Sequence, residues 1–224
     1  MISELQKRIL SSIFLIPIAI FFIIKGSIFF NFFLFIFFIA SSYEWLKMNI
    51  KKVIKYAGFF YLIFTFFFAY FLRNDYGPHV FIFVIIICVS TDIGGYIFGK
   101  LLKGPKLTKI SPNKTYAGVI GSFVFSIILG FFYLNYYNTF LSSDNTYEIL
   151  QSVLMNNDLH FLITIFIISS ISQLGDLIIS YFKRIAKIKN TGKILPGHGG
   201  LLDRIDGIVF AIPSSYLLFY YFII

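Results

Sequence analysis

The chain has 224 residues, 58% hydrophobic, 21% aromatic and only 13% charged, with a mean hydropathy of +0.84. A soluble domain is about half apolar and about a quarter charged, so a water-soluble globule is excluded, and continuous rather than alternating apolar runs exclude a transmembrane barrel. The formal charge of +9 would suit nucleic acid, but the placement of the cations fits a membrane surface better, and no nucleic-acid partner is expected.

The pattern predicts an all-α, polytopic transmembrane bundle of about seven spans, at roughly 9–24, 28–46, 56–72, 79–99, 116–137, 159–182 and 204–223. Most of these approach the ~20 residues that cross a ~30 Å hydrocarbon core. The first run resembles a signal peptide but is followed by Ile24 and Lys25 rather than a small-residue cleavage site, so it is expected to be retained. With no linker or internal repeat, the whole chain (1–224) reads as one integral membrane domain, with a three-span N-terminal part (1–77) and a catalytic part (78–224). Cys88, in the run VIIICVS, excludes an internal disulfide and reads as a small buried hydrophobe.

Seven spans place the cations asymmetrically. Lys7 and Arg8 precede the first span, Lys47 to Lys55 follow the second, Lys100 to Lys114 follow the fourth, and Lys183 to Arg204 follow the sixth. All of these fall on one side, whereas only Lys25 and Arg73 fall on the other. The positive-inside rule then puts the N-terminus and the basic loops in the cytoplasm. The opposite loop, 135–157, has no Lys or Arg and carries Asp144 and Glu148. Topology and attraction to anionic headgroups, worth about 1 kcal/mol per residue, account for Lys47 to Lys55 but not for the carboxylates and glycines beside the later basic loops.

Four carboxylates stand out. Asp92 and Asp176 lie inside spans, near their cytoplasmic ends, where an unpaired ionisable group costs several kcal/mol and so faces a cavity, a partner or an ion. Asp203 and Asp206, spaced i and i+3, open the seventh span on one helix face. On the sixth span Ser169, Ser172, Asp176, Ser180 and Lys183 recur every three or four residues and share a face, which must line a cavity or a helix contact. Such an arrangement suits magnesium, which takes a few carboxylates and completes its octahedron with phosphate and water. The competing reading is an ion-pair lattice, for example Asp203 with Lys183 or Arg184. Glu44, near the end of the second span, reads as snorkelling or pairing with Lys47.

The segment LPGHGGLL (195–202) supplies flexible backbone. Gly197, Gly199 and Gly200 with the next helix start suggest a phosphate cradle, and His198 could donate to a phosphate or serve as acid–base. STDIGGYIFGK, with Asp92, Gly94, Gly95, Gly99 and Lys100, and SPNKTYAG, with Asn113, Lys114, Thr115 and Gly118, read as a related cytoplasmic connector. The second is not a P-loop, because the GxxxxGK[ST] spacing is absent.

The whole stretch 180–206, SYFKR, KN-T-G and LPGHGGLLDRID, resembles the signature of the bacterial-type phosphatidate cytidylyltransferases, the CDP-diacylglycerol synthases. It departs at Asn190, where that family usually has Asp. LGDL (174–177), DIGGYIFGK and SPNKTYAG are similar to further blocks of the same family; the first three spans match only in character. The resemblance implies transfer of the cytidylyl group of CTP to phosphatidic acid, with pyrophosphate released, in phospholipid biosynthesis. It implies a homodimeric helical enzyme that depends on Mg2+, with room for a paired monovalent cation such as K+. Carried over by position, Asp176 and Asp203 would bind the metal, and Lys183 and Arg204 would join them in catalysis. Ser180, Arg184, His198, Gly199, Gly200, Asp206, Asp92, Asn113 and Lys114 would bind substrate. Two rivals remain on sequence grounds: a CTP-dependent polyprenol kinase, and an ion-coupled transporter using the intramembrane Asp residues.

Overall fold

The computed structural model describes residues 4–108, 111, 114–140, 158–194 and 199–223. They form six helices: α1 (Glu4–Lys25), α2 (Ser27–Lys47), α3 (Lys52–Leu102), α4 (Tyr116–Phe140), α5 (Asp158–Ile185) and α6 (Leu202–Ile223). Among the described residues there is no strand, and an isolated bridge pairs Lys106 with Thr115. In lipid every backbone amide and carbonyl must be paired within its own segment, so long apolar runs become helices.

All seven expected runs are helical, and two of them are the halves of α3. Gly77 has φ 86° and ψ 169° in the middle of this 51-residue helix, and Pro78 follows it. Gly77 tolerates the positive φ and Pro78 cannot donate to the preceding turn, so the helix bends where 56–72 and 79–99 were expected to separate. Among the described residues α2, α3, residues 116–136 of α4 and residues 159–185 of α5 are long and apolar enough to cross a membrane. The chain is a multi-pass helical membrane protein. The loop carrying Asp144 and Glu148 lies outside the described residues.

Side-chain contacts gather the ends of the bundle. At one end Arg73 donates to the carbonyls of Ile23 (3.1 Å) and Ile24 (3.3 Å) and lies over the Phe30 ring, closing the α1–α2 corner against the α3 kink. At the other, Trp45 Nε1 donates to the Lys55 carbonyl (2.9 Å), and its ring packs edge-on against Phe182 of α5. The basic segments following α2, α3 and α5 therefore meet at this second end. The core between them is apolar, with Phe30, Leu72, Phe83, Ile87, Ile165 and Phe219 essentially inaccessible. Cys88 is buried in the same cluster, as a small hydrophobe should be.

One expectation is corrected here. The segment STDIGGYIFGK is not a connector: it is the last part of α3. Its glycines serve close packing of α3 on α4. A methyl at Gly94 would strike the Gly121 carbonyl, one at Gly121 would strike Phe98, and one at Gly95 would lie 2.7 Å from Ser122 Oγ. Small residues let membrane helices approach where no hydrophobic drive between them exists. Gly94→Leu should therefore lower the melting temperature in detergent by about 5 °C, as expected of an overpacking cost of about 1–3 kcal/mol. Gly104→Ala, where the added carbon meets nothing nearer than 3.6 Å, should leave it unchanged.

Candidate functional site

The acidic residues singled out on α3, α5 and α6 converge at the end of the bundle where the basic segments meet. The connector after α3 is pinned by Leu107 N to Lys114 O (2.8 Å) and Tyr116 N to Pro105 O (3.2 Å). This fold-back brings Lys114 over α5, where its Nζ lies 2.5 Å from Asp176 Oδ2. Ser180 Oγ, one turn further along α5, donates to Asp176 Oδ1 (3.2 Å). Asp206, from α6, is within hydrogen-bonding reach of Asp176. Its own Oδ2 lies 3.9 Å from Lys183 Nζ, which forms a closer ion pair with Asp203 Oδ1 at 2.9 Å. Lys114, Asp176, Asp206, Lys183 and Asp203 thus form one polar row across three elements, acids alternating with bases except at the Asp176–Asp206 contact.

Asp92 extends this row into α3, close enough to feel the charges of Asp176, Lys114 and Arg204. Asp92, Lys114 and Asp176 open onto a cavity of about 300 Å³ between α3, α4 and α5, which Ser111, Ser122 and Gln173 also line. The polar stripe on α5 divides its work. Ser169 receives the Thr91 hydroxyl (2.8 Å) as a helix contact, whereas Asp176 faces the cavity.

Asp203 is engaged by the protein through both carboxylate oxygens. Besides Lys183, it accepts the amides of Thr191 (2.8 Å) and Gly200 (3.0 Å) at Oδ2. The ion pair with Lys183 weighed in the sequence analysis is therefore present, and Asp206 is the α6 carboxylate that interacts with Asp176. Of the expected phosphate cradle, Gly197 lies outside the described residues, and the start of α6 is already occupied by the protein's own anions. The amides of Gly200, Leu201 and Leu202 already point at protein carboxylates. A helix start favours an anion, and here the chain supplies its own. Gly199 does adopt φ 92°, so the positive-φ role holds at that position. Arg204 and Arg184 are exposed, and Arg184 reaches the Ile188 carbonyl at 3.4 Å rather than the acids. His198 and Asn113 lie outside the described residues.

Sequence reasoning missed Glu44. It is 1% exposed and accepts hydrogen bonds from Thr191 Oγ1 (2.8 Å), Leu201 N (2.9 Å) and Leu202 N (2.9 Å). It neither snorkels nor pairs with Lys47, whose Nζ instead approaches the Tyr43 hydroxyl. A carboxylate one position before a tryptophan in an apolar helix was the available signal, since such a group is retained only where donors await it.

The match to known proteins follows this geometry. Residues 53–222 match the model of the cytidylyltransferase family. The chain belongs to that family. A phosphatidate cytidylyltransferase of Helicobacter pylori (strain J99) is 35% identical over 156 residues, 69% of this chain and 53% of the relative. Those of Staphylococcus haemolyticus (40% over 154 residues; 68% and 53%) and Haemophilus influenzae (34% over 150 residues; 66% and 48%) are similar. The chain spans about half the length of the curated relatives it matches. Asp92, Lys114, Asp176, Lys183, Asp203 and Asp206 all fall within the cytidylyltransferase match, whereas Glu44 precedes it.

Lys183 is the link between the two carboxylates of α6 and is 8% exposed. Removing one partner of a buried pair leaves the other charge uncompensated, at a cost of about 3–5 kcal/mol. Lys183→Met should therefore lower thermal stability sharply, and Lys183→Met with Asp203→Asn should recover part of the loss. A double-mutant cycle of melting temperatures checks this, and additive losses would show that the pair is not energetically coupled.

Proposed function

We propose that the chain transfers the cytidylyl group of CTP to phosphatidic acid, giving CDP-diacylglycerol and pyrophosphate. The observation that carries this reading is the convergence of Asp92, Asp176 and Lys114 on one cavity, beside Asp206 and Lys183, in a member of the cytidylyltransferase family. The basic segments gathered at this end favour a cytoplasmic orientation, in a seven-span protein of the bacterial inner membrane, acting as a homodimer. There CTP arrives from the cytosol while the acyl chains stay in the bilayer.

The residues fit a divalent cation. Among the described residues no group of three or more His, Cys, Asp or Glu could hold a metal by itself. Asp176 and Asp206 nevertheless interact across two helices, and Mg2+ takes few protein ligands when phosphates complete its shell. Asp176 would hold Mg2+ with a carboxylate from the first turns of α6: Asp206 stands beside it, and Asp203 would become available if Lys183 turned towards substrate. When bound, the metal supplies charge neutralisation at the nucleotide phosphates, and an adjacent monovalent cation such as K+ fits the same acidic row.

The reaction needs no covalent enzyme intermediate. A phosphate oxygen of phosphatidic acid forms a bond to the α-phosphorus of CTP as the α–β phosphoanhydride bond breaks in line. The departing electron pair stays on pyrophosphate. The protein's contribution is positioning and charge stabilisation. Lys114 is held at the cavity mouth by Asp176, poised to exchange that carboxylate for a phosphate oxygen. Lys183 is oriented by its ion pair with Asp203. The exposed Arg184 and Arg204 offer guanidinium forks to incoming phosphates.

Purified protein in lipid nanodiscs, given labelled CTP, phosphatidic acid and Mg2+, should yield a CDP-lipid and one equivalent of pyrophosphate. Release of CDP with a phosphorylated lipid would instead indicate a kinase and overturn the reading. Asp176→Asn should lower turnover by about three orders of magnitude, a loss on the scale of removing a principal electrostatic group. It should also weaken Mn2+ binding followed by electron paramagnetic resonance. Near-normal turnover in that variant would defeat the metal assignment.

A further inference from the structure

We infer that Glu44, which lies on α2 before the family match begins, is a positioning residue that sets the active-site loop. The inference rests on the function proposed above and extends it to the N-terminal part of the chain. The loop 186–201 leaves α5 through a C-terminal turn in which Ile188 N bonds Lys183 O (3.0 Å) and Lys187 N bonds Arg184 O (3.1 Å), with Lys187 at φ 55°. It returns to start α6, where Asp203 and Asp206 stand. Two carboxylates hold its described residues and the start of α6. Asp203 takes the backbone amides of Thr191 and Gly200; Glu44 takes the hydroxyl of the same Thr191 and the next two amides, Leu201 and Leu202.

The clamp is built on a rigid base and leaves little room. Trp45, the next residue, ties the end of α2 to Lys55 and to Phe182. A methyl on Gly192 or on Gly200 would overlap the Glu44 carboxylate. Neither glycine is at positive φ, so space rather than backbone conformation demands them. Glu44 does not line the acidic cavity and touches no group placed in the reaction. It acts through Thr191 and the first residues of α6, and so through the register of Asp203, Lys183 and Asp206.

The chemistry of the pocket makes the carboxylate specific. Oε1 accepts Leu201 N, and Oε2 accepts both Leu202 N and Thr191 Oγ1. A carboxamide of the same shape has one acceptor oxygen, so in either orientation its NH2 would face a backbone N–H. Aspartate, one methylene shorter, would fall back from the amides at the start of α6.

The test compares wild type, Glu44→Gln, Glu44→Asp and Gly192→Ala in nanodiscs, with steady-state kinetics and hydrogen exchange read by mass spectrometry. The expected result is a tenfold or greater fall in kcat with KM for CTP changed less than threefold. Faster exchange should be confined to peptides covering 188–203. Gly192→Ala, which displaces the carboxylate without removing it, should reproduce both effects. Unchanged kcat in an active preparation of Glu44→Gln would overturn the inference. So would loosening that spreads equally to α3 and α4, which would make the role one of general stability. If the wild type makes no CDP-lipid, the functional reading fails on its own, and exchange in 188–203 still decides whether Glu44 holds the loop. Should Glu44→Gln not be recovered folded, Gly192→Ala carries both measurements, and wild-type kinetics and exchange in it would equally overturn the inference.

Discussion

A carboxylate inside an apolar helical bundle must be met by donors or by a cation, and the arrangement of this protein's functional end follows from that requirement. Burying an unpaired charge costs several kcal/mol, while exposing it to lipid is no cheaper. Four carboxylates at this end of the bundle therefore find partners on other elements. Asp176 takes Lys114 from the connector after α3, Asp203 takes Lys183 and two amides, Asp206 lies between Asp176 and Lys183, and Glu44 takes the start of α6. Asp92 faces the cavity with Asp176. Each contact crosses between elements, so satisfying the charges also assembles the site.

The apolar remainder of the molecule is a frame for that assembly. Glycines let α3 and α4 approach closely enough to wall the cavity, and the Gly77–Pro78 bend divides α3 so that both of its halves pack in the bundle. At the far end Arg73 ties the α1–α2 corner to that bend. The surplus of acids over buried bases in the row leaves it short of positive charge. This suits a site that receives a divalent cation together with a polyphosphate, because the incoming pair then brings both the missing charge and the remaining ligands.

Helix N-termini are often offered to substrate phosphates, and the glycine-rich segment before α6 has the composition for it. Here the offer is taken by the chain itself. The amides of Leu201 and Leu202 bind Glu44, and that of Gly200 binds Asp203. Gly200 in this segment supplies clearance for the Glu44 side chain, and Gly199 lies against Asp203. The N-terminal part of the chain is thereby coupled to the catalytic part by hydrogen bonds as well as by packing.

Much of this was legible in the linear order of residues. Apolar run length predicts helices, since lipid leaves the backbone no other way to pair. Proline after glycine marks the bend in α3, and the lopsided placement of lysines groups the loops that the structure brings together. Asp176, Ser180 and Lys183 recur at helical spacing, so their shared face needed no coordinates. Which acid meets which base was not legible, because those pairs span long separations such as 44 to 191 and 114 to 176, and helix packing alone sets these distances. Glu44 shows the limit most clearly. Its place near the end of a span and the nearby Lys47 suggested a surface role. Only the tertiary structure lays the loop after α5 across the end of α2, and a buried carboxylate is stable there because three donors arrive from a part of the chain nearly 150 residues away.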